Sequence, residues 1–124
     1  MKNEFIPYEE ALALKKLGFD YCCFCSYTPE GKLADSYGTY YKIYPSEVTI
    51  APLYQQAFRW FREKYKLFGE VCLTTKQEDC EVFEFFVLNV NEPIFESDDY
   101  TVYEKAKLAC LRKLIEIVNQ NKYE

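Results

Sequence analysis

The 124-residue sequence contains no histidine. The usual general base near neutral pH is therefore missing, so Ser-His, Cys-His and His-metal constellations cannot be assembled within one chain. Glycine is scarce too: Gly18, Gly31, Gly38 and Gly69 are the only four, and they form neither a P-loop nor a dinucleotide-binding fingerprint. No apolar run approaches the ~18 residues needed to span a bilayer, and the start MKNEFIPYEEALALKKLGF lacks the charged-then-apolar layout of a signal peptide. A soluble, non-exported, cytoplasmic protein is expected. Positive charge is in deficit as well, with 15 Lys and Arg against 20 Asp and Glu. The resulting net charge of −5 disfavours sequence-blind binding to a phosphate backbone.

Aromatic residues, in contrast, are plentiful. Twelve Tyr, ten Phe and one Trp within a 49% apolar composition describe a chain that folds, and its length is that of one domain with one core. Three segments, PYEEALALKKLGF from Pro7, PLYQQAFRWFREKYKLF from Pro52 and TVYEKAKLACLRKLIEIV from Thr101, share a Tyr-x-x-Ala opening and read as helices. Pro7 and Pro52 suit a first turn, Gly18 suits a stop, and Thr101 with Glu104 has the spacing of a capping box. Tyr54, Ala57, Phe58, Phe61, Tyr65 and Phe68 recur at helical period, as do Leu108, Leu111, Ile115 and Val118.

Between the helices the period falls to two. Residues 21–28 and 32–44, joined by PEGK, predict one hairpin; GEVCLTT and CEVFEFFVLNV, joined by KQED, predict another. The expected fold is a single α+β domain over residues 1–124, of order α-β-β-α-β-β-α, with antiparallel hairpins packed against three helices. VNEPIFESDDY reads as an acidic connection before the last helix. In the strand from Cys80 to Val90 both faces are apolar, which fits a central strand covered twice or a subunit contact, so a homodimer enters consideration.

YCCFCS places three cysteines within four positions. On a strand Cys23 and Cys25 share a face with Tyr21 and Tyr27, while Cys22 turns away, so the thiols do not converge as zinc ligands must. With no export signal, Cys22, Cys23, Cys25, Cys72, Cys80 and Cys110 read as free thiols serving as small hydrophobes; no metal and no cofactor is expected. Glu84 interrupts an apolar strand face, and its ordinary place is a sheet edge or a pair with a helix cation. No catalytic residue is assigned.

Two surfaces suit binding. In FRWFREKYK, Arg59, Arg62 and Lys66 fall on one stripe at spacings of three and four, with Trp60 and Tyr65 nearby. Interleaved cations and aromatics can hold an acidic protein or, alternatively, nucleic acid or a nucleotide. YGTYYKIY places Tyr37 and Tyr41 on one face of a strand, where rigid, hydroxyl-bearing rings suit an interface. The residues quoted from both ends and the central helix, EFIPYEEALALKKLGFD, APLYQQAFRWFREKY and YEKAKLACLRKLIEIV, resemble a large group of short uncharacterised proteins from Bacteroides and their phages or other mobile elements. That resemblance implies a bacterial cytoplasm and a small accessory role; it brings no catalytic residues. The expected function is non-enzymatic binding of a protein partner.

Overall fold

A computed structural model describes residues 4–21, 25–34, 49–74, 81–90 and 92–122. In chain order these form α1 (Tyr8–Leu17), β1 (Cys25–Tyr27), β2 (Leu33–Ala34), β3 (Thr49–Ala51), α2 (Tyr54–Tyr65), β4 (Phe68–Thr74), β5 (Val82–Leu88), β6 (Pro93–Glu96) and α3 (Tyr103–Lys122). Three helices with antiparallel sheets give the expected α+β class. Two strands, β3 and β6, are additional to the four anticipated. The chain divides into two compact units, Met1–Trp60 and Phe61–Glu124, and the division falls inside α2.

In the first unit α1 starts at Pro7, whose extended backbone (φ −63°, ψ 158°) turns its carbonyl to Ala11 N–H at 2.9 Å. It ends at Gly18, where φ is 94°: Gly18 N–H donates to Lys15 O and Phe19 N–H to Leu14 O. This is a Schellman closure, and only glycine enters the left-handed region there without steric cost. Glu9 and Glu10 in the first turn and Lys15 and Lys16 in the last complement the helix dipole. The sheet has order β2-β1-β3. The β1–β2 turn closes through Thr28 N–H to Lys32 O (2.9 Å) and Gly31 N–H to Thr28 O (2.8 Å). Ile6, Ala11, Leu14, Ala51, Ala57 and Trp60 are core residues. Tyr27 joins them by donating its hydroxyl to Ile6 O at 2.6 Å while meeting the Tyr8 ring edge-on.

In the second unit β4, β5 and β6 form a meander. β5 is central, and both its faces are buried: Val82 and Glu84 on one, Phe85 and Val87 on the other. The two-faced apolar pattern therefore marks a central strand. β6 corrects the reading of NEPIFES as a bare connection, for Phe95 pairs with Val87 and Glu96 with Phe86. The path continues along β5 as Ser97 N–H donates to Phe85 O and Tyr100 exchanges two 2.7 Å bonds with Phe83. At four largely exposed residues, Pro93–Glu96, the strand is too short to show in a search for long apolar runs.

α3 packs on β4 and β5, burying Ala106, Cys110, Leu111, Leu114, Ile117 and Val118. It begins at Tyr103, with Val102 O receiving Ala106 N–H, so Thr101 stands outside the helix and the expected capping box is not formed. α2 stops at Tyr65, three residues short of the periodic pattern, and Phe68 opens β4. The shared Tyr-x-x-Ala starts do not mark a repeated topology: β1, the first strand of its sheet, lies in the middle, whereas β4 lies at an edge.

Candidate functional site

α2 carries the basic stripe. Leu53 is its N-cap, and the Gln56 side chain at the third helical position returns to accept Leu53 N–H at 2.9 Å, one half of a capping box. Tyr54, Ala57, Trp60 and Phe61 are buried. The opposite side presents Arg59 exposed and Arg62 half-buried, and Lys66, the residue after the helix, is exposed at φ 58°. A lysine in the left-handed region is unusual because its Cβ approaches the following carbonyl. Here it terminates the helix, and the third cation stands just past the helix C-terminus. Arg62, Tyr65 and Lys66 belong to the second unit, and Arg59 lies one turn earlier on the same helix.

The aromatic members fare differently from the cations. Trp60 is 2% exposed and meets Phe19 edge-on with ring centres 5.4 Å apart. Its ring is core, which corrects its place among the candidate binding residues. The spacing contained the signal: at ~100° per residue Trp60 points about 160° away from Arg62, toward the buried side. Tyr65 remains half-exposed, flanked by Phe61 at 6.0 Å and capped by Lys64 Nζ at 5.9 Å from its ring centre. Tyr37 and Tyr41 lie outside the described residues.

Of the cysteines, Cys25, Cys72 and Cys110 are described, and none of the three is in a disulfide. Cys22, Cys23 and Cys80 lie outside the described residues. Cys110 is fully buried, and burial first, then the Glu70 carboxylate, pushes its thiol up to about 12. It is packing, as expected of sulfur in a core. Cys25 is half-buried, and Cys72 is exposed on β4, so the reading of every cysteine as interior filling does not extend to Cys72. Among the described residues no group of three or more Cys, Asp or Glu side chains is placed to hold a metal ion.

Glu84 sits on the central strand opposite Cys72, not at a sheet edge, and is 9% exposed. A second buried carboxylate, Glu10, escaped the sequence reading although it stands four residues before Leu14 and so shares its inward face. Burial, then Cys25 and Glu10, raises the Tyr27 phenol above its ordinary value. An open depression of about 450 Å³ is lined by Arg112, Ile115, Glu116, Asn119 and Gln120. All five come from α3, so polar groups from other elements do not converge there as they do in small-molecule sites. No helix among the described residues is long and apolar enough to cross a membrane. No family model, curated protein or solved structure matches the chain.

Proposed function

We propose that the chain is a non-enzymatic accessory protein of phage or mobile-element type, acting in a bacterial cytoplasm by binding a protein partner through the ridge Arg59, Arg62 and Lys66. The observation that carries this reading is the division of labour on α2: its cations face outward while Trp60 faces the core. Binding of single-stranded nucleic acid draws on open aromatic faces as well as cations. Here Trp60 is enclosed, and the half-exposed Tyr65 ring already has Phe61 and Lys64 beside it. What is left is a short row of guanidinium and ammonium groups on a chain of net charge −5. Such a row suits carboxylates on a protein surface, where bidentate Arg pairing fixes orientation.

The test is affinity purification from an expressing Bacteroides host with the wild-type chain and with Arg59→Glu/Arg62→Glu, each with and without nuclease. Loss of the captured protein in the double variant, with nuclease making no difference, supports the reading. Capture undiminished by the reversal removes the ridge as the site. Capture abolished by nuclease transfers the ridge to the nucleic-acid reading.

A further inference from the structure

The two outer edges of the second sheet are built differently. β6 begins with Pro93, which has no N–H to offer, and carries Glu96, with Glu92, Asp98 and Asp99 exposed beside it. These are devices that discourage strand addition. β4 has neither the proline nor the acidic cluster. It runs seven residues, Phe68–Thr74, without proline or lysine, and Glu70 is its one charge. Among the described residues it pairs only with β5. Glu70 and Cys72 are exposed, and Leu73 is 60% exposed.

We infer that β4 is the dimerisation edge, occupied by β4 of a second copy of this chain, antiparallel about a two-fold axis through Val71. The surface is distinct from the α2 ridge, and the inference goes beyond the function proposed above. Self-pairing is argued from the strand's own complementarity. With Val71 opposite its twin, Gly69 faces Leu73, Glu70 faces Cys72 and Phe68 faces Thr74 across the join. Gly69, Val71 and Leu73 share one face, since alternate residues of a strand do. The exposed Leu73 side chain is thus set over a residue that has none, and the same contact occurs twice. Glu70 meets a thiol and not another carboxylate. Centring the axis on Glu70 would oppose the two carboxylates, a destabilising cross-strand pair. Centring it on Cys72 would set Leu73 against Val71 and bring the two thiols together. The product is a continuous six-stranded sheet whose outer edges are both the protected β6, an isologous and closed assembly.

Sedimentation equilibrium of the full chain across a dilution series is the first measurement, and a mass of two chains is expected. Leu73→Lys should raise the dissociation constant by roughly tenfold or more, with circular dichroism confirming that the fold is kept. Glu70→Cys supplies a register test that does not depend on that fold. Under mild oxidation it should give a covalent dimer through Cys72 of the second copy, whereas the wild type should not, because its two Cys72 thiols are offset along the join. A monomer at all concentrations overturns the inference, as does a dimer indifferent to Leu73→Lys or a wild-type dimer crosslinked through Cys72. Arg59→Glu/Arg62→Glu should leave the mass unchanged, so failure here and failure of the ridge are read separately.

Discussion

Cys110 offers a test of sulfur as core material that can be worked through in numbers. Its thiol is fully buried in α3 and pushed up from an ordinary 9.0 to about 12. Because the folded value is the raised one, the stabilisation is complete below about pH 9 and is lost as the pH climbs toward 12. At pH 10 about nine-tenths of the unfolded thiols are ionised while the folded thiol stays protonated, which favours the unfolded state by about 1.4 kcal/mol. At pH 8 the same effect is below about 0.1 kcal/mol. The assay is urea unfolding of the wild type and Cys110→Ala at both pH values. The substitution itself should cost about 1 kcal/mol at pH 8, for the volume removed from a packed site. The alkaline loss should then be about 1.4 kcal/mol smaller in the variant, because every other titrating group is common to both chains. Equal losses in the two proteins would show a thiol that ionises in the folded state, and the packing assignment would fall.

Three further outcomes are expected. Tyr27→Phe removes the hydroxyl that donates to Ile6 O at 2.6 Å and should cost about 1–2 kcal/mol in urea unfolding; a neutral result would mean that water satisfies Ile6 equally well. Lys66→Gly relieves the left-handed strain at φ 58° and, net of the unfolded-state entropy of glycine, should stabilise by about 0.5–1 kcal/mol; destabilisation would show that the lysine side chain contributes more than its backbone costs. In the native protein a thiol reagent followed by peptide mass spectrometry should modify exposed Cys72 and spare Cys110 until denaturant is added.

What the sequence disclosed, and what it hid, follows from the range of the interactions involved. Helix positions were legible because they rest on local signals: Gly18 as a stop and the apolar period of α2 and α3 needed no knowledge of neighbours. The end of α2 was not, since Tyr65, Lys66, Leu67 and Phe68 continue the apolar rhythm and only the conformation of Lys66 breaks it. β3 and β6 were missed for the opposite reason. Three or four residues are too few to show a period, and their pairing is dictated by β1 and β5. Burial of Trp60 was available from its angle on the helix, yet reading the cations and aromatics of FRWFREKYK as one group obscured it. The exposure of Cys72 could not be read from its flanks, Val71 and Leu73, because β4 is apolar in composition while lying at an edge.

A reversal of two arginines changes more than the ridge, since it takes the net charge from −5 to −9, and an acidic partner would be repelled by that alone. A second variant separates the two effects. Lys16→Glu/Lys105→Glu also reaches −9, but it alters exposed residues of α1 and α3, off the ridge. Interactions between exposed charges are largely screened beyond ~10 Å at 0.1 M ionic strength. Contact at the ridge therefore predicts that only Arg59→Glu/Arg62→Glu abolishes capture at that salt, with Lys16→Glu/Lys105→Glu close to wild type. Steering by the whole-molecule field predicts equal losses in both, recovering together as salt is added. Equal losses at high salt fit neither mechanism and would place the binding surface somewhere other than α2.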